Sequence, residues 1–199
     1  MNPLNTVNGT IIGGVVLAVL IGLVGGIQFN ANSLIVWIHV LAGVTWIGLL
    51  YYFNFVQVPA LAAAAADEGG PGGAGITKYV APRALWWFRW GAVVTWLSGA
   101  AYLFHLGIFG SAFMLSGLTS GGVGPWTIGV GAWLGTIMLF NVWVLIWPNQ
   151  KKILGLVEAT AEEITKGRRI AFLASRTNTL LSIPMLMSMV GLGHGGFFI

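Results

Sequence analysis

The 199-residue chain has no cysteine. That absence excludes disulfides, thiolate-held zinc, iron–sulfur clusters and covalent attachment of a c-type haem. Charge is nearly as scarce. Only 7% of residues are charged, against about 25% in a soluble domain. So few charges cannot dress a water-facing surface, and lipid is the expected solvent. The five acids (Asp67, Glu68, Glu158, Glu162, Glu163) and the nine bases all fall in two windows, 67–89 and 151–176. No carboxylate lies in a long apolar stretch, which removes an Asp/Glu proton relay and paired acids for general acid–base work. No phosphate-cradling glycine loop, dinucleotide fingerprint or Ser/His/Asp set is present, and no catalytic residue is assigned. The pI near 9.8 does not point to nucleic acid, because the bases flank apolar spans, where they set orientation.

What is present is apolar: 57% of the residues, with mean hydropathy +0.86. A spanning helix needs about 20 such residues. Five stretches qualify: 10–28, 33–58, 85–108, 124–147 and 177–196. The sequence therefore predicts an all-α integral membrane protein, a single transmembrane domain over 1–199 built as a bundle of five helices. The turn at 29–32 is short, so the first two spans form a hairpin. Loops 60–84 and 148–176 hold all the Lys and Arg. The excess of cytoplasmic bases in membrane proteins puts both loops and the N-terminus inside and the C-terminus outside. The first nine residues carry no base, so no cleavable leader is expected. Pro59, Pro82, Pro125 and Pro148 are expected at helix ends, and Pro184 inside a span, where it kinks the helix. Segment 62–75 is low in complexity, while 150–173 has apolar residues at helical spacing and predicts a helical extension. Trp86, Trp87, Trp90, Trp143 and Trp147 gather at the inner interface as an aromatic belt.

Topology sharpens the three histidines. His39, His105 and His194 come from three spans and share one depth, within roughly 10 Å of the outer interface at a rise of about 1.5 Å per residue. An ionisable group in a span is a candidate functional residue, and imidazole ligates haem iron, copper or zinc. In the third span Gly91, Thr95, Ser98, Tyr102 and His105 recur at three- and four-residue spacing. Gly43 lies one turn from His39. Small residues there permit either close helix packing or room for a flat macrocycle. Haem b held by His39 and His105, with Gly43 and Tyr102 beside it, is one reading. A metal held by His39, His105 and His194 is another, and Met185 with Met189 adds a weaker copper set. Hydrogen-bonded interface histidines are the plain alternative. Asn54, Gln57, Asn141 and Asn149 are expected to bond across helices or to line an inner cavity. Arg89 is expected to snorkel to the inner surface.

Three blocks carry a resemblance: IHVLAGVTWIGLLYYFNFVQVPA (38–60), APRALWWFRWGAVVTWLSG (81–99) and MLFNVWVLIWPNQKKI (138–153). In this order they resemble the membrane domain of the bacterial membrane-bound urate hydroxylase (urate oxidase N-terminal) family. The His39–Gly48 pattern alone is also similar to copper-resistance D proteins and membrane protoporphyrinogen oxidases. The resemblance implies a bacterial inner-membrane protein that oxidises urate to 5-hydroxyisourate and passes electrons to a respiratory chain. Full-length members join this membrane domain to a C-terminal cytochrome c domain. Without cysteine in these 199 residues, that domain is expected to be lacking, and the electron acceptor would be a separate external cytochrome c. The alternative is a non-catalytic accessory subunit of a larger respiratory or photosynthetic membrane complex.

Overall fold

The computed structural model describes residues 2–26, 30–120 and 123–196. The end of the first expected span at Gln28 and the start of the expected turn at Phe29 lie outside these residues. The chain divides into two compact units, residues 1–34 and 35–199. The first holds helix α1 (Val7–Val24), opened by Thr6, whose side chain accepts from the Gly9 N–H at 3.0 Å. That bond satisfies one of the amides a helix start leaves unpaired.

The second unit contains most of helix α2 (Ala31–Ala66), then α3 (Ala81–His105), the short α4 (Phe109–Phe113), α5 (Pro125–Ile153) and α6 (Ala161–Gly191). Among the described residues there is no strand. Four helices, α1, α2, α5 and α6, are long and apolar enough to cross a membrane, so this is a helical membrane protein. Helix α3 has the length, 25 residues, but not the mean hydropathy. Arg83, Arg89 and the tryptophans Trp86, Trp87, Trp90 and Trp96 dilute it, because indole prefers the interface to the hydrocarbon core.

The prolines depart from expectation in an instructive way. Pro59 and Pro148 do not end helices; α2 and α5 run straight through them. Each is absorbed by a widened π turn just before it: Tyr52–Gln57 in α2 and Asn141–Ile146 in α5. A third π turn, Ile76–Val80, precedes Pro82 and leads into α3. Proline lacks an N–H, and its ring crowds the carbonyl four residues back. Bonding five residues back relieves the crowding: Val58 donates to Phe53, Ala81 to Ile76 and Trp147 to Val142. Pro184 lies inside α6, where it was expected. The extension anticipated over 150–173 is split by turns at 154–160. Its second half is the start of α6, which continues without a break into the last apolar stretch.

The core of this unit is one cluster in which Trp46, Leu50 and Phe53 of α2, Leu85, Phe88 and Ala92 of α3, and Met138, Val142 and Ile146 of α5 meet Met185 of α6. A smaller cluster, Leu103, Ala112 and Ile128 with Met189 and Leu192 against it, closes the end where α3, α5 and α6 meet near α4. Many apolar side chains point outward, among them Val44, Leu97, Leu180 and Ile183, each more than half exposed. In water such a surface would aggregate; against acyl chains it is matched.

Candidate functional site

The site begins with how closely α2 and α3 approach. At Gly91 an added methyl group would lie 3.4 Å from the Trp46 amide nitrogen and 3.5 Å from the Ala42 carbonyl oxygen. At Gly43 it would lie 3.7 Å from the Thr95 Cγ2. The two backbones are thus nearly in contact, as small residues allow. The space beside Gly43 is taken by Thr95, so this glycine serves the helix contact rather than a wide cavity.

His39 completes the same contact. Its Nδ1 lies 2.8 Å from the Thr95 carbonyl oxygen and 3.4 Å from the Ser98 hydroxyl. A carbonyl can only accept, so Nδ1 carries the proton. Thr95 and Ser98 spend their own hydroxyls on the backbone, donating to the Gly91 carbonyl at 2.7 Å and the Val94 carbonyl at 2.6 Å. The ring rests on Gly99: a methyl group there would sit 2.9 Å from Cε1 and 3.2 Å from Nδ1, with Nε2 furthest away at 4.0 Å. The sequence thus builds an imidazole fixed in orientation and tautomer, with the Nε2 lone pair free in the neutral ring. That is how protein ligands to metals and haem are held.

The other expected residues are more dispersed. His105 is the last residue of α3 and is exposed; Tyr102, one turn before it, is half-buried. His105 stands six residues beyond Gly99, about 9 Å along the helix axis. His194 lies in the turn after α6, exposed, with Nδ1 3.0 Å from the Val190 carbonyl oxygen. The cluster around Leu103 and Leu192 places the ends bearing His105 and His194 at one end of the unit. Among the described residues, no three His, Asp or Glu side chains converge where they could hold a metal ion. The donor set offers one oriented imidazole nitrogen, His39 Nε2, and His105 is a second imidazole beyond it on the partner helix.

A second polar region lies around the π turns. Asn54 donates to its own Leu50 carbonyl at 2.9 Å and to the Ser175 hydroxyl at 2.8 Å. Asn141 donates to the Asn178 Oδ1 at 2.8 Å, and Asn178 donates onward to the Met138 carbonyl at 3.0 Å. Tyr51 and Ser182 exchange a hydrogen bond at 3.0 Å. Asn54 and Asn141 therefore do bond across helices. Asn149 instead bonds its own Leu145 carbonyl at 2.7 Å. The buried Gln57 Oε1 has no partner among the described residues. The α6 side of this network was missed in the sequence, although a signal was there. Gly167, Ala171, Ala174, Asn178, Ser182, Met185 and Ser188 recur at three- and four-residue spacing, and all are buried.

Residues 125–198 match the model of a protein family described as urate oxidase N-terminal. No curated protein and no solved structure matches the chain.

Proposed function

From the urate oxidase N-terminal signature over residues 125–198 and the anchored imidazole of His39, we propose that the chain is a haem-binding electron-transfer module of a bacterial inner membrane. His39 through Nε2, with His105, would hold a b-type haem, and Tyr102 lies one turn from His105. When bound, the group supplies one-electron chemistry. The chain's own part is to fix the tautomer of His39 through Thr95, exclude water with the apolar α2–α3 contact, and hold the ligand near one membrane surface. The reductant would be urate or a related small molecule, and the acceptor a separate external cytochrome c. In this reading α3 also spans the membrane, making five spans in all, the N-terminus is cytoplasmic and the charged loops face inward, in accord with the distribution of Lys and Arg.

The single observation that carries the proposal is the Nδ1–Thr95 bond, which leaves the second ring nitrogen uncommitted inside an apolar helix pair. The test is an absorption spectrum of detergent-purified protein, oxidised and then dithionite-reduced. We expect a b-type spectrum that is lost in His39→Ala and altered in His105→Ala. A colourless protein from haem-replete cells would refute it.

A second reading has an observation of its own. The family match covers α5 and α6, whereas His39 and His105 lie before it. What the family shares in this chain is then a packing unit, suited to an accessory subunit of a larger membrane complex. In that case the histidines are structural, no haem is found, and the protein co-purifies with partner subunits.

A further inference from the structure

Arg89 sits two turns into α3 and has no carboxylate partner among the described residues. Its Nε donates to the Leu85 carbonyl at 3.2 Å, and its terminal nitrogens make no hydrogen bond among the described residues. The guanidinium lies 3.3 Å from the centre of the Trp147 ring and 5.6 Å from that of Trp143. Lys151, one turn beyond Trp147 on α5, places its ammonium 5.9 Å from the same Trp147 ring. Two cations thus lie within 6 Å of the centre of one indole, at the end of the bundle that carries the charged loops. Stacking on the ring faces fixes the guanidinium plane while its edge donors stay open.

Directly outward of this cluster, α3 and α5 leave a groove of about 400 Å³ between them, lined by Val93, Trp96, Thr136, Leu139, Phe140 and Trp143. Trp96 donates to the Thr136 hydroxyl at 2.8 Å, so the polar atoms at its far end satisfy each other. What remains is an apolar slot. Trp143 belongs to both the slot and the cationic cluster. On α3 the stripe runs Arg89, Val93, Trp96; on α5 it runs Lys151, Trp147, Trp143, Thr136. Cationic head and apolar slot are therefore in line along α3 and α5.

We propose that this is a binding site for an anionic glycerophospholipid, with its phosphate between Arg89 and Lys151 and an acyl chain in the α3–α5 groove. The charge selects an anionic headgroup, since fork donors and a point cation together suit a phosphate oxygen cluster. The groove selects a lipid over a free anion. This site is independent of His39 and of any haem.

Native mass spectrometry of the detergent-purified full chain tests it, with phosphatidylglycerol and phosphatidylcholine of identical acyl chains as probes. Phosphatidylglycerol should be retained about tenfold or more over phosphatidylcholine. Arg89→Gln and Lys151→Gln should each cost about fivefold in that preference, from the usual contribution of one cation near a lipid surface. Val93→Trp, which fills the groove but leaves both cations, should release the lipid too. Lys151 is half-buried at the end of α5, so its variant reports even where Arg89→Gln does not fold. Equal retention of the two lipids, or Lys151→Gln and Val93→Trp without effect, overturns the proposal. So does displacement by millimolar inorganic phosphate, which would mark a free-anion site. A lipid-free dimer that forms in place of the lipid adduct would instead assign the groove to a second copy.

Discussion

Ser188 of α6 enters the backbone of α5, whereas His39 of α2 only touches the outside of α3. In the first pair the Gly131 N–H donates to the Ser188 hydroxyl at 2.7 Å, and that hydroxyl donates in turn to the Thr127 carbonyl. The serine stands where a direct bond from residue 131 back to 127 would close the helix. About two turns inward of Met185, Asn178 repeats the intrusion by taking the Met138 carbonyl beside the π turn. The α2–α3 pair has no such clasp: glycines let the backbones meet, and a single strong side-chain bond, His39 to Thr95, crosses between them. In lipid the hydrophobic effect does not drive helices together, so packing and interhelical hydrogen bonds must do so. The clasped pair is built to be permanent. The packed pair presents a chemically usable side chain at its contact. The family match coincides with the clasped pair.

The sharpest way to break the comparison is at the foot of the clasped region. A methyl group at Gly129 would collide with the Ala112 carbonyl oxygen, a backbone atom with nowhere to go. Gly129→Ala should cost roughly 3 kcal/mol, the upper range for overpacking, and lower the thermal midpoint in detergent more than any other single change considered. Next is Asn178→Ala. Asn178 is fully buried, and its loss strands the Asn141 amide and the Met138 carbonyl together. About 1–2 kcal/mol is expected, since hydrogen bonds between membrane helices measure less than their burial suggests. If Asn178→Ala proved neutral in a denaturant titration, the clasps would be ornament and the two helix pairs equivalent.

Gly99→Ala probes the packed pair. The new methyl group would press on the His39 ring at 2.9 Å from Cε1, so the ring must tilt off the Thr95 carbonyl. A stability loss of about 1 kcal/mol is expected. The change should be visible as a shifted His39 ring resonance, and in a haem-loaded protein as a shifted absorption band. An unmoved resonance would mean that the Gly99 contact does not position the imidazole.

Much of this was legible before the fold was seen, and the limits have physical causes. Apolar run length and confinement of charge to two windows gave the helical membrane class. His39 stood out because ionisable groups in lipid are rare, and its partner Thr95 lay in the small and polar stripe already singled out in α3. Pro59 and Pro148 were misread as helix ends because a single sequence does not say whether a proline stops a helix or widens it into a π turn; that depends on whether side chains such as Asn54 and Asn178 are placed to use nearby carbonyls, those of Leu50 and Met138. Ser188 was invisible for a related reason. An isolated serine in an apolar helix most often bonds its own preceding turn, and only the proximity of Gly131, which lacks a side chain, lets it reach into another helix instead.

The smallest effect is expected where the clasped pair is tied from outside. Beyond the apolar spans, Thr160 and Glu163 cap the start of α6 reciprocally, and Lys152 at the end of α5 reaches Glu163 at 2.9 Å. The Thr160 amide, and after it Lys152, hold the Glu163 carboxyl below its ordinary value of 4.5. A carboxyl lowered in the fold stabilises fully above its unfolded value, and that contribution is lost as pH falls through the lowered one. Acidification below about 4.5 should therefore loosen only the first turn of α6, seen as faster amide exchange at Thr160 and Glu163. Glu163→Gln should show the same loosening at neutral pH. Because both side chains are exposed to water, about half of the Glu163 side chain, solvent screens the pair, and the melting midpoint should barely move in either case. A large drop in that midpoint would mean that the external tie, not Ser188 and Asn178, holds α5 to α6.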